Sequence, residues 1–339
     1  MKIPKKYNVL ANNQGFTKVE LIVVIVIVLI LMIGAVGLVG MGGSIWHPPA
    51  ISALSERFSE RRGFAVSIHG VGGSTGDTIA GLTVGAMLLI FAWYDVMRVA
   101  VIPALLMALL VYLALRGFCG EVRDPVTPRG YLGLMGRVVG NKALMGLAVA
   151  AGIRGMGQAA LLTFLPIYMR EDLAYSTALV GLYITLLTLL GLVSQPVMGS
   201  LSDRYGRKIV LVPALGVLGL LTLALIWVGD SRVGIGIVVA GIGVFLYALQ
   251  ALLLAAAMDH AGSASGMTVA LMFGGTFLLT APSPLVGGAL VDAFGIQAVF
   301  LYSGVLILLA ALLVVFLPLR RTDSRNHSHS PTARGAVQS

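Results

Sequence analysis

Charged side chains are scarce in this sequence. Asp, Glu, Lys and Arg make up 11% of the 339 residues, whereas hydrophobic residues make up 58%. A soluble globular domain is about one quarter charged, so this chain has too few polar side chains to cover its apolar surface in water. The mean hydropathy of +0.96 indicates the same. The composition excludes a soluble enzyme, a nucleic-acid-binding domain and a disordered protein, and it predicts an all-α integral membrane protein.

Cysteine is almost absent. The single cysteine, Cys119, allows no internal disulfide and forms no metal-ligand pattern, and we expect it to be an inert loop thiol. The sequence also contains no nucleotide-binding loop and no Ser/His/Asp arrangement that stands out. We therefore expect no enzymatic activity, no metal and no cofactor.

Long hydrophobic runs are abundant instead. A membrane-spanning helix needs about 20 mostly apolar residues, and the sequence holds about nine such segments. They lie at 20–54, 63–91, 96–115, 143–168, 176–198, 209–229, 234–257, 265–290 and 296–318. The first is too long for one straight crossing, and the glycines from Gly37 to Gly43 could bend or break it.

Basic residues are concentrated in alternate loops, and the net charge is +9. The basic segments are 56–62, 116–142, 199–208 and the tail 319–339, while the intervening loops hold one basic residue at most. Because basic loops stay in the cytoplasm, we expect a multi-pass protein of the inner (plasma) membrane with a cytoplasmic, disordered C-terminal tail. We expect the lipid bilayer as its surroundings, no nucleic-acid partner, and a monomer, although the oligomeric state stays open.

The N-terminal end breaks this alternation. Residues 1–19 are also basic, so they too should be cytoplasmic. One helix over 20–54 would then place 56–62 outside, against the order of all later loops. Either 20–54 forms a hairpin or re-entrant pair, or the first segment does not belong with the rest. We favour the second explanation.

The segment 199–208 reads G-S-L-S-D-R-Y-G-R-K between two predicted spans. It matches the G-x-L-x-D-R-x-G-R-K/R loop of major facilitator superfamily transporters at every fixed position, so the chain resembles that family and its helical bundle. Family members use the loop as a latch that closes the cytoplasmic side. A basic turn that only sets topology is the alternative. The resemblance implies the latch role for Gly199, Asp203, Arg204, Gly206, Arg207 and Lys208.

A second motif lies in the span 63–91. Its pattern is Gly72-x3-Gly76-Asp77-x2-Ala80-Gly81, which resembles the G-x3-G-P-x2-G-G pattern that is associated with antiporters of the family. Asp77 and Ala80 depart from that pattern. Small residues at this spacing also let helices pack closely, so plain packing is the alternative to antiport.

The chain repeats itself weakly, since residues 62–72 align with 265–275. Two related halves are typical of this superfamily. The resemblance implies that the first three helices of the N-terminal half are absent, as in a fusion, a truncation or a mis-assembled gene. The predicted organisation is 1–35, a prepilin-like segment with the first apolar helix; 36–115, a partial N-terminal half; 116–142, a central cytoplasmic loop; 143–318, a six-helix C-terminal half; and 319–339, the tail.

Two further resemblances concern the N-terminal part. The G-x-x-W-H-P-x-A run in 42–62, followed by R-G-F-A, is similar to the fosmidomycin-resistance branch of drug-efflux transporters. Residues 1–35 resemble a type IV prepilin leader, which is cut after a glycine and keeps a glutamate at the fifth mature position. The resemblance implies cleavage between Gly15 and Phe16, with Glu20 as that glutamate.

Ionisable residues inside spans are functional candidates because they are costly to insert. Arg154 and Gln158 are four residues apart and share a helix face, so we predict an anion or carboxylate contact there; internal pairing of the arginine is the alternative. Asp77 and His69 could carry a coupling proton or form structural hydrogen bonds. His47, before two prolines, is either a cavity residue or a local cap.

Other polar residues receive plainer predictions. Asp259 and His260 should be solvated at a cytoplasmic helix end, and Gln250 could line a cavity, although its spacing among leucines favours packing. Together these observations favour a secondary transporter that exports a small drug-like or anionic compound by proton-coupled alternating access. The alternatives are an uptake carrier for a small metabolite and an inactive truncated or fused product.

Overall fold

A computed structural model describes residues 47–87, 90–116, 127–229, 231–262 and 264–319. In these ranges all regular structure is helical, which confirms the predicted fold class. Of the unit Met1–Pro49 only residues 47–49 are described, and they are helical; the other described residues belong to the unit Ala50–Ser339.

Eleven α-helices have fully described bounds, and we number them in chain order. They are α1 (Arg62–Met87), α2 (Trp93–Leu115), α3 (Pro128–Gly140), α4 (Lys142–Ile167), α5 (Thr177–Tyr205), α6 (Arg207–Ala224), α7 (Arg232–Leu246), α8 (Ala248–Met258), α9 (Ser265–Thr280), α10 (Ser283–Phe294) and α11 (Gln297–Phe316). A 3₁₀ turn, Ser59–Arg61, precedes α1, and a π-helical turn, Tyr168–Asp172, follows α4.

Seven segments of the described chain are long and apolar enough to cross a membrane. They are Trp93–Ala114, Lys142–Asp172, Thr177–Tyr205, Arg207–Ala224, Arg232–Met258, Ser265–Phe294 and Gln297–Phe316. Most of the predicted span 20–54 lies outside the described residues. The span 63–91 corresponds to α1, whose many Gly, Ser and Thr residues keep it out of these seven. The count of nine therefore stays a prediction.

Two predicted spans differ from single straight helices. The segment 234–257 is divided into α7 and α8 at Tyr247, and 265–290 is divided into α9 and α10 at Ala281 and Pro282. Pro282 has no backbone N–H and cannot continue the helical hydrogen bonds, which accounts for the second break.

The segment 116–142, which the sequence predicts to be a loop, contains a helix. Helix α3 begins after Thr127, whose hydroxyl accepts a hydrogen bond from the Gly130 N–H at 3.2 Å, and Pro128 occupies the first turn. A threonine cap followed by proline is a typical helix start. Leu134 and Val138 pack against the core, so residues 128–140 form an amphipathic helix.

The core lies among the helices of the C-terminal part. Helix α11 packs against α4 and α6, α5 packs against α7, and α1 packs against α5 and α8. Leu147, Leu161, Leu187 and Phe300 are fully buried between these helices. The bundle thereby brings α1 into contact with the ends of α5 and α8, where the first site is found.

Helix α2 presents apolar side chains outward on all sides. Trp93, Met97, Leu105 and Tyr112 are each 65–70% exposed, and 6% of the spanning window of α2 is buried. A continuous apolar surface of this kind would associate in water, whereas lipid accommodates it. The helix supports the prediction of a multi-pass membrane protein.

Candidate functional site

A cluster of buried charges joins α1, α5, α6 and α8. We call it the charge cluster and define it as Arg62, Asp203, Arg207 and Asp259. Asp203 lies near the end of α5 and accepts two backbone hydrogen bonds from the start of α1, from Gly63 N–H at 2.9 Å and Phe64 N–H at 2.8 Å. A carboxylate is favourable at a helix N-terminus because the first N–H groups there have no helical partner. Asp203 therefore holds α1 to α5.

Arg207 is the centre of the charge cluster. Its side chain is 3% exposed and forms ion pairs with Asp203, at 2.5 Å, and with Asp259, at 2.7 Å. Asp259 is also buried and accepts from Arg62 at 3.1 Å, while Arg62 Nε donates to the Ser55 carbonyl. Each buried charge thus has an opposite charge beside it, which offsets the cost of removing it from water.

Two glycines give the charge cluster its geometry. Gly206 separates α5 from α6 with a φ of +102°, a conformation that other residues rarely adopt. The predicted loop 199–208 is reduced to this one residue. A Cβ on Gly199 would lie 2.5 Å from the Gly63 carbonyl oxygen, so α1 and α5 touch through their backbones and Asp203 can reach the start of α1.

The remaining cations of the segment 199–208 take no part in the charge cluster. The Arg204 guanidinium lies over the Tyr205 ring, 5.4 Å from its centroid. The Lys208 ammonium donates to the Leu317 carbonyl at 3.1 Å. Of the residues with a predicted latch role, Asp203 and Arg207 are therefore the two that belong to the charge cluster.

A second buried cation lies within the bundle, and we call its surroundings the Arg154 site. Arg154 is 2% exposed on α4. Its Nη1 donates to Gln158 Oε1 at 2.6 Å and to the Leu246 carbonyl at 3.1 Å, and its Nη2 donates to Gln250 Oε1 at 2.6 Å. Leu246 is the last residue of α7, so the arginine bonds the chain beside the break at Tyr247.

The positive charge of Arg154 has no counter-ion among the described residues. In the described part of the chain, every hydrogen-bond partner of Arg154 is neutral and no carboxylate forms an ion pair with it. Its Nε is buried and has no partner among the described residues. Arg154 lies about 18 Å along α4 from Lys142, close to the middle of a hydrocarbon core of about 30 Å. The site can therefore hold an anion.

The other predicted residues lie apart from these two sites. Gly72 and Gly76 are exposed on α1, and a Cβ on either would meet nothing within 4 Å. His69 is half-buried on α1, and His47 is half-buried in the helical segment before it. The α1 backbone includes Asp77, Ala80 and Gly81, but what surrounds these positions lies outside the described part, as do Gly15, Phe16 and Glu20.

Three residues of these sites were not predicted. Asp259 was expected to be solvated and is instead 5% exposed at its side chain, because two arginines from other helices converge on it. The sequence indicates only a topology signal for Arg62, and for Gln250 it favours packing over a place on a cavity wall. Their partners are far away in sequence, so no local pattern could reveal them; an acidic residue at the end of an apolar span was the one available signal.

A bundle of apolar helices with a buried cation near the middle of a span and a buried charge cluster at one end indicates a multi-pass membrane protein. The sequence model of the Major Facilitator Superfamily matches residues 20–278 and 147–339. The first match covers more than half of the chain, and the chain belongs to this family of transporters, which are not enzymes.

Two curated relatives are similar to the chain. The uncharacterized MFS-type transporter YfnC of Bacillus subtilis (strain 168) is 26% identical over 268 residues, which are 76% of this chain and 63% of YfnC. The multi-drug resistance efflux pump PmrA homolog of Lactococcus lactis subsp. lactis (strain IL1403) is 31% identical over 164 residues, which are 46% of this chain and 39% of that protein. The chain thus spans less than two thirds of the length of either.

Two solved structures show the same fold. The transporter FucP in its outward conformation aligns with a TM-score of 0.57 at 13% identity, covering 77% of this chain and 69% of FucP. The proton:xylose symporter XylE aligns with a TM-score of 0.53 at 17% identity, covering 77% of this chain and 65% of XylE.

Proposed function

We propose that the protein exports a small anionic, drug-like organic compound in exchange for protons, by alternating access in the inner membrane with the C-terminus in the cytoplasm. The Arg154 site carries this proposal. A guanidinium that is buried among amides and a carbonyl, with no carboxylate of the described chain beside it, is costly to maintain. An anionic substrate that binds there provides the missing charge and up to two charge-assisted hydrogen bonds, because three of the five N–H groups of Arg154 already have partners.

The charge cluster supplies the gate in this mechanism. With Asp203 on the first N–H groups of α1 and Arg207 between two carboxylates, the cytoplasmic ends of α1, α5 and α8 are held together. We propose that this is the state closed toward the cytoplasm. Opening requires Asp203 to leave α1 and Arg62 to leave Asp259, so the cluster acts as a latch.

Proton coupling is assigned to α1. Asp77 lies about 21 Å along this helix from Gly63, at a depth similar to that of Arg154, and His69 lies on the same helix. A carboxylate at membrane depth can bind a proton in one orientation of the carrier and release it in the other. The glycine pattern from Gly72 to Gly81, which resembles that of antiporters, favours exchange over co-transport.

We propose the substrate class from the hydrogen-bond donors of Arg154 and from the similarity of the chain to drug exporters. The similarity of 42–62 to the fosmidomycin-resistance branch makes fosmidomycin, a phosphonate, the first probe. The Lactococcus lactis relative is named as a homolog of a multi-drug efflux pump. A phosphonate presents several oxygens to one guanidinium, which matches the donors of Arg154.

The test is drug tolerance in a host that lacks its own exporter. Cells that express the full chain should tolerate several-fold more fosmidomycin than cells with an empty vector. Arg154→Gln should abolish the gain, because it removes the cation, and Asp77→Asn should abolish it, because it removes the proton carrier. Asp95→Asn, at an exposed ion pair on α2, is the matched control and should keep the gain.

The alternatives give different outcomes in the same cells. An uptake carrier would lower tolerance and increase accumulation of the compound under an inward proton gradient. An inactive fused or truncated product would change neither and would be degraded rapidly. Unchanged tolerance in Arg154→Gln beside a clear gain in the unmodified chain would remove Arg154 from the substrate site. The prepilin-like cleavage between Gly15 and Phe16 is a separate proposal, which N-terminal sequencing of the mature chain tests.

A further inference from the structure

A groove of about 570 Å³ lies between α6 and α11 on the outside of the bundle. It begins at the start of α6 and runs along the last turns of α11. Its walls are formed by Lys208, Ile209, Val212, Pro213, Val315 and Leu319. Ile209 and Val315 are 52% and 41% exposed, so the groove opens toward the surroundings of the bundle and not toward the Arg154 site.

The mouth of the groove is positively charged. Lys208 has three N–H donors and gives one of them to the Leu317 carbonyl at 3.1 Å. None of the carboxylates in the described ranges forms an ion pair with it. Arg207 also borders the groove, but Asp203 and Asp259 already neutralise its charge. Among the described residues, Lys208 therefore has no counter-ion, and two of its N–H donors have no partner at this end of α6.

The groove becomes apolar below Lys208. Val212 and Pro213 lie about 6–8 Å further along the α6 axis, opposite Val315 on α11. A cation at the mouth with an apolar channel below it matches an amphiphile whose anionic head lies at the interface and whose chain lies in the hydrocarbon region. A soluble anion would use the mouth alone and leave the apolar walls uncovered.

We propose that the α6–α11 groove is a binding site for an anionic phospholipid of the cytoplasmic leaflet. The phosphate accepts hydrogen bonds from Lys208, and one acyl chain lies between Val212 and Val315. Charge complementarity selects anionic over zwitterionic lipid, because Lys208 has no counter-ion among the described residues. Because Arg207 lines the groove and also belongs to the charge cluster, bound lipid is placed to stabilise the latch.

Native mass spectrometry of the purified full chain tests this site. The protein is mixed with equal amounts of phosphatidylglycerol and phosphatidylcholine, which share acyl chains and differ in head-group charge. The unmodified chain should keep phosphatidylglycerol at several-fold higher occupancy. Lys208→Gln should lower that occupancy about fivefold, the effect of one basic residue near an anionic surface. Lys142→Gln, which removes an exposed charge outside the groove, should leave it unchanged.

A second variant covers the case in which Lys208→Gln disturbs the neighbouring latch. Ile209→Glu places a negative charge on the exposed wall and should expel phosphatidylglycerol, whereas Leu201→Glu, on a 39% exposed residue of α5, should not. Equal losses in Lys208→Gln and Lys142→Gln would show attraction by overall charge only and would overturn the site. Equal binding of the two lipids by the unmodified chain would overturn it as well.

Discussion

The protein buries two arginines in opposite ways. Arg207 lies between two carboxylates and donates to both, whereas Arg154 is surrounded by two glutamine amides and a backbone carbonyl. Both residues are at most 4% exposed. A buried cation with its counterions forms a complete structural unit, while a buried cation without them is costly and is a functional candidate. We therefore propose that Arg207 belongs to a device that closes the carrier and Arg154 to a site that binds substrate.

Breaking the charge cluster should have the largest effect. Asp259→Asn leaves Asp203 as the one carboxylate of the charge cluster, and Arg62 loses its ion pair. Loss of one partner of a buried ion pair costs about 3–5 kcal/mol. Asp95→Asn, at the exposed pair with Arg98, should cost about 0–1 kcal/mol. Thermal unfolding of the purified variants measures both, and equal losses would contradict the structural role of the charge cluster.

Removing each arginine in turn sharpens the comparison. Arg207→Met leaves the buried Asp203 carboxylate without its cation and Asp259 with Arg62 alone, and it should destabilise the protein by about 3 kcal/mol or more. Arg154→Met removes a cation that no carboxylate stabilises, so its cost should be about 1 kcal/mol at most, from amides that lose a donor. The melting temperatures of the two purified variants measure these costs. A larger decrease for Arg154→Met than for Arg207→Met would contradict the difference between the two arginines.

The contact of α1 with α5 gives an intermediate effect. Gly199→Ala forces a methyl group against the Gly63 backbone and should cost about 1–3 kcal/mol, as overpacking does. Gly76→Ala is the matched change within the antiporter-like motif. Because open space surrounds Gly76, alanine there should be neutral or stabilise by about 0.5–1 kcal/mol through helix propensity. Denaturation of both variants is the measurement, and a costly Gly76→Ala would show that this glycine packs.

Giving Arg154 a carboxylate partner, as Arg207 already has, should have a small effect on stability and of the opposite sign. Gln250→Glu places a carboxylate where Nη2 of Arg154 now reaches an amide oxygen at 2.6 Å. Stability should rise by about 1–2 kcal/mol, because the hydrogen bond becomes an ion pair, while export of anions falls at least tenfold. Gln195→Glu, at a buried glutamine that donates to Ser74, has no cation to meet and should lower stability. Undiminished export by Gln250→Glu would exclude an anion at this site.

Local patterns predicted much of this molecule. The apolar runs predicted the six spans after residue 142, because a helix that lies in lipid must be apolar over its whole length. The pairing of Arg154 with Gln158 followed from helical periodicity, since the two residues are four apart. The segment 199–208 could be found because its motif is contiguous, although a single glycine, Gly206, is all that remains outside the helices there.

What could not be predicted depends on contacts between distant segments. The partners of Asp259 come from α1 and α6, and a rule for exposed helix ends assigns such a residue to solvent. Gln250 meets Arg154 beside the break at Tyr247, where α7 ends at Leu246 and α8 begins at Ala248. The uninterrupted apolar sequence gives no sign of this break. Helix α3 was not predicted because its glycines weaken its helix propensity. The remaining sign of a helix is its start, where Thr127 is the cap and Pro128 follows.

Ligand-induced stabilisation tests whether Arg154 is the anion contact of the substrate. The melting temperature of the purified full chain is measured with increasing fosmidomycin, beside Arg154→Met under the same conditions. A ligand at 100 times its dissociation constant stabilises a protein by about 2.7 kcal/mol. We expect the melting temperature of the unmodified chain to rise by several degrees, in proportion to the logarithm of the fosmidomycin concentration once this exceeds the dissociation constant, and that of Arg154→Met to stay unchanged. An equal rise in both proteins would show that Arg154 does not contact the ligand.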